Sequence, residues 1–311
     1  MENSYHKKIA ADILRIRFGM MMVNDGIRAS KFKIPIHLAF GHEAIAVAVK
    51  AIANEEDQLI LSHRNIHYNL AKTESLKAEI DEYSLKKCGL AKGQLGSMNL
   101  VNEKEGIVYT SSILGNNLSV AAGLALGKKV KNSNGVVIVI SGDGSMEEGA
   151  FHEGLLFLKS NYLSSIIIVE NNEWSLATRI SERRCNIDIE KYTSAFDIKY
   201  EKLKGNDVYE YIEKLHRLRN YAIENKTPLC VEAEVTTLGD WRMKTEEYPE
   251  GKFINYHAGL APAVHLAEWP ILDDSEKDPI FVLQKYFNEN DLKEMAREVL
   301  QHLRNDANDL Y

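Results

Sequence analysis

Two polar side chains in the sequence, Asp143 and Asn172, are of the types that bind a hard metal ion. Asp143 offers a carboxylate and Asn172 an amide oxygen. Mg²⁺ takes such oxygen ligands in proteins, usually together with the phosphates of a bound substrate. Asp143 stands between Gly142 and Gly144, and two glycines allow a tight turn and the close approach of a ligand to the backbone. These residues predict a site for a metal-bound diphosphate, provided that the fold brings them together.

The elements that must position them form a βαβ unit. Asp143 follows the apolar run 136–140 and Asn172 follows the run 166–169, which predicts two strands buried on both faces. Parallel strands in such a unit have neighbouring carboxyl ends, and open α/β sheets bind ligands at that edge. The intervening helix should start near Ser145 or Met146 and direct backbone N–H groups at a bound anion. Its predicted apolar face consists of Phe151, Leu155, Leu156 and Leu158.

The motif Gly142-Asp143-Gly144, followed after 26 residues by Asn171-Asn172, resembles the diphosphate-and-magnesium motif of thiamine-diphosphate enzymes. A dinucleotide site fits less well, because Gly142, Gly144 and Gly149 lack the G-x-G-x-x-G spacing. An Asp-Gly turn and an Asn-Asn turn are each common alone. The spacing and the two buried strands together favour the cofactor site.

Other segments resemble the alpha subunits of the decarboxylating component of 2-oxo-acid and acetoin dehydrogenase complexes. Segment 40–47 (FGHEAIAV) is similar to that family's G-Q-E-A helix, with His42 in place of glutamine. Segment 59–72 (LILSHRNIHYNLAK) is similar to its short strand and H-R segment. Segment 93–100 resembles its glycine-rich loop, and segment 111–127 resembles its pyrimidine-binding turn and small-residue helix.

The resemblance implies a set of site residues. Asp143, Asn172 and the backbone carbonyl of Trp174 would bind Mg²⁺, and backbone groups of Ser112 and Leu114 would contact the aminopyrimidine of the cofactor. The remaining residues implied to contact the cofactor are His63, Arg64, Gly142, Gly144 and Ser145. Arginine suits the contact with phosphate, because its planar guanidinium group matches phosphate oxygens.

The sequence departs from the family pattern in two places. The family often has H-R-x-H-G-H, whereas residues 63–68 here read HRNIHY, so the histidines are displaced. The family also has an H-G-H-S loop, and Asp240 stands where its second histidine is expected. A carboxylate facing a diphosphate is repulsive, so we expect the segment 238–262 to follow a different path here.

The fold class predicted is α/β, a doubly wound and mostly parallel sheet with helices on both faces, typical of the thiamine-diphosphate-binding fold. Residues 1–311 are expected to form one domain for the diphosphate half of the site, with a C-terminal helical extension over about 270–311. With 45% hydrophobic residues and a net charge of −7, the chain shows no sign of binding nucleic acid or a membrane. A cytoplasmic location is expected, because the N-terminal residues do not resemble a signal peptide and Cys88, Cys185 and Cys230 are scattered.

The resemblance implies the cofactors thiamine diphosphate and Mg²⁺, and a partner chain. In two-chain members of the family, the glutamate that activates the cofactor lies on a beta subunit, and those alpha subunits have about this chain's length. We therefore expect an active site between chains, in an α2β2 heterotetramer, with a lipoyl acyltransferase as a possible further partner. Three functions remain open: oxidative decarboxylation of a 2-oxo acid, carboligase or transketolase-like transfer to an aldehyde or sugar, and a non-catalytic role that retains the fold.

Overall fold

The computed structural model describes residues 2–73, 75–176, 178–239, 242–253 and 258–306. Six parallel strands form its main sheet. In chain order they are β1 (Gln58–Ser62), β2 (Ile107–Ser111), β3 (Val137–Gly142), β4 (Ser165–Asn171), β7 (Lys199–Leu203) and β8 (Pro228–Glu234). Two short strands, β5 (Trp174–Ser175) and β6 (Thr178–Arg179), pair with each other after β4, and β9 (Arg242–Met243) pairs with β10 (Lys252–Phe253).

Helices surround the sheet. The longer ones are α1 (Glu2–Arg28), α2 (Glu43–Ile52), α4 (Leu76–Tyr83), α5 (Asn116–Val130), α6 (Gly149–Ser160), α9 (Val208–Asn225) and α11 (Glu289–Asp306). The shorter ones are α3 (Ile66–Lys72), α7 (Ile180–Arg183), α8 (Ile189–Ser194) and α10 (Pro279–Val282). Among the described residues, no helix has both the length and the apolar character needed to cross a membrane.

The strand order is β2-β1-β3-β4-β8-β7, and every pairing is parallel. From β1 the chain moves outward to β2, then returns to the other side of β1 and continues through β3 to β4. The order therefore reverses between β1 and β3, and the loops after these two strands part from each other there. Ligands of doubly wound sheets bind at such a switch point, at the carboxyl ends of the strands.

The core lies on both faces of the sheet, as the apolar runs predict. Alternate side chains of β3 point to opposite faces: Ile138 and Ile140 belong to one buried cluster, and Val137 and Val139 belong to the other. The first cluster includes residues of α1, α2, α9 and α11, and the second includes residues of α5 and α6. The predicted three-layer, doubly wound fold is confirmed.

The helix of the βαβ unit differs from the prediction in two respects. The α-helix begins at Gly149, because a 3₁₀ turn over Asp143–Glu147 comes between it and β3. The predicted apolar face is correct for Phe151, Leu155 and Leu158, but Leu156 is 50% exposed. The period of 3.6 residues carries Leu156 to the side of the helix away from the sheet.

Only some of the small residues of α5 contribute to close helix packing. Ala121, Ala122 and Ala125 of α5 are buried, whereas a side chain added at Gly123 would meet open space. α5 and α6 approach each other closely at Gly154, where a Cβ would lie 2.6 Å from Leu118 Cβ.

A fully buried arginine ties the N-terminal and C-terminal parts of the chain together. Arg17 of α1 donates to Glu43 of α2 at 2.6 Å and makes a two-pronged contact with Asp278, at 3.0 and 3.1 Å. The side chain of Asp278 also accepts from the backbone N–H of Ile280 and so caps α10. Burial alone would lower the pKa of Arg17, but the two carboxylates outweigh it and raise that pKa.

We expect Arg17→Met to lower the free energy of unfolding by roughly 3 to 5 kcal/mol, since it leaves two buried carboxylates without their cation. Urea titration followed by circular dichroism measures the change. Arg297→Met removes an exposed arginine of α11 and serves as the control, with a change within about 0.5 kcal/mol. Equal stability of the two variants would contradict the role given to Arg17.

Candidate functional site

A cleft opens at the switch point, at the carboxyl edge of β1, β3 and β4. In the pairing of β3 with β4, Gly142 lies opposite Glu170, so Asp143 and Asn172 come just beyond adjacent strand ends. The side chains and backbone that line the cleft belong to His42, Ser62, His63, Arg64, Leu114, Gly142, Asp143, Gly144, Ser145, Glu170, Asn172, Trp174 and Ser175.

Nine of the ten residues singled out in the sequence line this one cleft. They are His63, Arg64, Leu114, Gly142, Asp143, Gly144, Ser145, Asn172 and Trp174. Ser112 is the exception: it is half-buried in the turn after β2 and is not among the lining residues. Its contact with a cofactor, like the ligand roles of the other nine, stays a prediction. Asp240 lies outside the described residues.

Of the two glycines beside Asp143, only Gly144 is explained by a lack of space, and neither is explained by its backbone angle. Gly142 has an extended backbone with φ of −97°, and Gly144 is not among the residues with positive φ. A Cβ on Gly144 would lie 2.7 Å from Ser175 Oγ, whereas a Cβ on Gly142 would meet nothing within 4 Å. Gly144 thus lets the hairpin of β5 and β6 pack against the turn.

Asp143 is a buried carboxylate with an arginine as its counter-ion. The side chain is 2% exposed, and burial raises its pKa to about 6 although Arg183 acts in the opposite direction. Arg183, at the end of α7, pairs with Asp143 and with Glu147 of the 3₁₀ turn. The neighbouring Arg184 contacts Glu147 at 2.8 Å. The guanidinium group of Arg183 therefore pairs with the Asp143 carboxylate, the group that is predicted to bind a metal ion.

Arg64 supplies positive charge on the opposite side of the cleft, after β1. Its guanidinium group donates to the carbonyl of Leu38, and burial lowers its pKa to about 10, with Glu170 acting to raise it. Arg64 therefore stays protonated near neutral pH. A charged guanidinium group in a cleft that also contains the backbone of Gly144 and Ser145 suits an anionic ligand.

A buried carboxylate that the sequence analysis missed, that of Glu170, also lines the cleft. Glu170 Oε1 accepts from His67 Nε2 at 3.0 Å and from the Tyr68 hydroxyl at 2.9 Å, and Oε2 lies 3.4 Å from His42 Nδ1. Burial would raise the pKa of Glu170, but His67 and His42 hold it well below its ordinary value. The signal in the sequence was a glutamate at the end of an otherwise apolar strand, because a buried carboxylate requires partners.

Comparisons with known proteins identify the family of the chain. The family model described as "Dehydrogenase E1 component" matches residues 21–241. The pyruvate dehydrogenase E1 component subunit alpha of Rickettsia bellii (strain RML369-C) is 29% identical over 270 residues, which is 85% of this chain and 78% of that protein. Subunit alpha of the acetoin:2,6-dichlorophenolindophenol oxidoreductase of Bacillus subtilis (strain 168) is 31% identical over 189 residues, 60% of this chain and 57% of that one.

A solved structure supports the fold. The transketolase from Leishmania mexicana superposes with a TM-score of 0.59 at 14% identity, over 98% of this chain. The chain spans 46% of the length of that transketolase.

We expect Arg183→Gln to tighten the binding of Mg²⁺ with thiamine diphosphate by about 3- to 10-fold, since a metal ion must otherwise displace the guanidinium group from Asp143. Isothermal titration calorimetry at pH 8 measures this. Arg184→Gln removes the same charge from the neighbouring position and should change the affinity by less than about 2-fold. Equal tightening in both variants would indicate a general charge effect, and weaker binding by Arg183→Gln would show that Arg183 contacts the ligand instead.

Proposed function

Because the chain belongs to the dehydrogenase E1 component family, we propose that it is the alpha-type subunit of a thiamine-diphosphate-dependent enzyme that decarboxylates a 2-oxo acid. The observation that carries the proposal is the meeting of Asp143, Asn172 and Arg64 in one cleft at the switch point of the sheet. A metal-binding acid, an amide oxygen and a phosphate-binding cation are the groups that a diphosphate cofactor with its metal ion requires.

The residues present fit such a cofactor. Asp143, the Asn172 amide oxygen and the Trp174 carbonyl would hold Mg²⁺, which prefers oxygen ligands of this kind. Asn172 Oδ1 already accepts from Trp174 N–H at 3.1 Å, which places the amide oxygen beside the Trp174 backbone. Arg64 and the backbone of Gly144 and Ser145 would hold the diphosphate. The remaining contacts in this proposal are made by His63, Gly142, Leu114 and Ser112.

When bound, the cofactor supplies an electron sink for cleavage of the bond beside a carbonyl group. The residues of this chain bind and orient it. Arg64 and the metal ion would neutralise the charge of the diphosphate. The metal ion would also balance the charge of Asp143, which pairs with Arg183 in this structure. Leu114 gives the cleft an apolar wall next to these charged groups. Exclusion of water from the reacting end of the cofactor strengthens the electrostatic interactions there.

A beta-type subunit completes the enzyme. Alpha subunits of this family act with beta subunits, and two exposed apolar side chains beside the cleft support such a contact here. Ile113, next to Leu114, is 67% exposed, and Leu176, next to Ser175, is 64% exposed. A partner chain seated there would cover both side chains and the mouth of the cleft. An α2β2 assembly, and transfer of the acyl group to a lipoyl-bearing acyltransferase, belong to the same proposal.

The metal assignment is tested with Asp143→Asn, which removes the ligand's charge while keeping its shape. We expect the affinity for thiamine diphosphate in the presence of Mg²⁺ to fall at least 10-fold, about 1.4 kcal/mol. Calorimetric titration measures it, with a thermal melt to show that the variant is folded. Asp197→Asn makes the same change at a side chain that is 98% exposed and should bind as the wild type does. Unchanged affinity in Asp143→Asn would rule out the assignment.

The need for a partner is tested by turnover of a panel of 2-oxo acids with an artificial electron acceptor. We expect no decarboxylation above background from the purified chain with thiamine diphosphate and Mg²⁺, and activity after a beta-type subunit is added. The Asp143→Asn chain with the same subunit controls for activity carried by the partner preparation. Robust turnover by this chain alone would show that the site is complete without a second chain.

A further inference from the structure

A chain of hydrogen-bonding groups links buried Glu170 to Asn172. Glu170 Oε2 lies 3.4 Å from His42 Nδ1, His42 Nε2 lies 3.1 Å from Thr237 Oγ1, and Asn172 Nδ2 lies 3.1 Å from the same oxygen. The four side chains come from three parts of the fold: the end of β4, the residue before α2, and the segment after β8. Each of these contacts joins residues that are far apart in sequence. Glu170 and Asn172, the first and last residues of the series, both lie at the end of β4.

The contacts are consistent with one arrangement of protons. The proton of a neutral His42 sits on Nδ1, facing the Glu170 carboxylate, and Nε2 is therefore left to accept from the Thr237 hydroxyl. The oxygen of that hydroxyl in turn accepts from the Asn172 amide nitrogen. Burial lowers the pKa of His42, which favours this neutral form, although Glu170 acts in the opposite direction.

The opposite arrangement is unfavourable at both ends. A flipped Asn172 amide would set its NH₂ group against the Trp174 N–H, which now donates to Asn172 Oδ1 at 3.1 Å. The flip would also make Thr237 donate to Asn172 and His42 Nε2 donate to Thr237, which leaves the bare Nδ1 lone pair facing the carboxylate of Glu170. Two independent contacts therefore select the same orientation of the Asn172 amide.

The Glu170 end of this series of hydrogen-bonding groups is fixed by contacts with α3. The other oxygen of Glu170 accepts from His67 at 3.0 Å and from Tyr68 at 2.9 Å, both on α3. His42 and His67 are 1% and 0% exposed, and Glu170 and Thr237 are 6% and 5% exposed, so water does not compete effectively for these contacts.

We propose that His42 and Thr237 are positioning residues that hold the Asn172 amide with its oxygen available to the metal ion of the cofactor. This inference rests on the proposed function, since it concerns the metal site of that function. The Thr237 hydroxyl fixes the nitrogen side of the amide, and the oxygen is left on the side of Trp174. His42 contacts Glu170 on one side and Thr237 on the other, so that the fixed position of Glu170 determines the orientation of the Thr237 hydroxyl. Outer hydrogen bonds of this kind orient a metal ligand and tune its affinity for the metal.

The test compares Thr237→Val, which removes the hydroxyl group while keeping the shape, with Thr237→Ser, which keeps the hydroxyl group. Calorimetric titration of Mg²⁺ at a fixed, saturating concentration of thiamine diphosphate gives the apparent metal affinity, without any assay of turnover. We expect Thr237→Val to lose about 10-fold in that affinity and Thr237→Ser to stay within about 2-fold of the wild type. His42→Leu and His42→Gln form a second pair with the same expected order, because glutamine can both accept from Thr237 and donate to Glu170.

A double-mutant cycle distinguishes two causes of a lower metal affinity in Thr237→Val: loss of the orientation of the Asn172 amide and general damage to the fold. Asn172→Asp replaces the amide with a carboxylate, which has oxygens on both sides and needs no orienting partner. We expect Thr237→Val to cost at most about 2-fold in the Asn172→Asp background, against about 10-fold in the wild-type background. The same cost in both backgrounds, or an equal loss in Thr237→Ser and Thr237→Val, would overturn the inference. Failure of the wild-type chain to bind the cofactor with Mg²⁺ would instead overturn the proposed function.

Discussion

The parallel pairing of β3 with β4 is the constraint on which the cleft depends. Their register, from Val137 opposite Ser165 to Gly142 opposite Glu170, is set by apolar side chains packed on both faces. A slip of one residue would turn every one of these side chains to the other face and shift Asp143 by about 3.3 Å relative to Asn172. That shift exceeds the length of a magnesium–oxygen bond, about 2.1 Å. Core packing therefore fixes the distance between the two metal-ligand candidates.

Two buried carboxylates, Asp143 and Glu170, line the cleft, and the charge of each is stabilised by different partners. Asp143 is balanced by Arg183, a long side chain on a four-residue helix that follows a short hairpin. Glu170 accepts hydrogen bonds from His67 and Tyr68 of α3, and its other oxygen lies beside His42. In the proposed enzyme a metal ion would replace the first partner, which comes from outside the sheet. The partners of Glu170 are themselves buried.

The fold and the meeting of Asp143 with Asn172 were predictable from local patterns in the sequence, whereas His63, Arg64, Leu114 and Trp174 were expected in the cleft only because of the family resemblance. Apolar runs give the strands, glycines give the turn, and the right-handed βαβ connection brings Asp143 to Asn172. The start of α6 was placed too early, since an apolar period does not reveal a 3₁₀ turn, and Leu156 was assigned to the wrong face of that helix. The contacts of Glu170 with His42 and His67 join residues more than 100 positions apart, so no local pattern contains them. Arg183 was missed for the same reason: it comes 40 residues after the aspartate that it neutralises.

The departures from the family pattern gain a physical explanation once they are placed in space. His42 stands in the place of the family's glutamine, His67 is one of the displaced histidines, and Thr237 lies just before the altered loop. In the fold His42 contacts both Thr237 and Glu170, and His67 contacts Glu170. His67 is fully buried, so its side chain supports the carboxylate and does not face a substrate. His42, His67, Glu170 and Thr237 thus form one connected group of buried polar side chains. Substitutions in such a group must agree with one another, because each buried polar side chain needs a partner of matching hydrogen-bonding character.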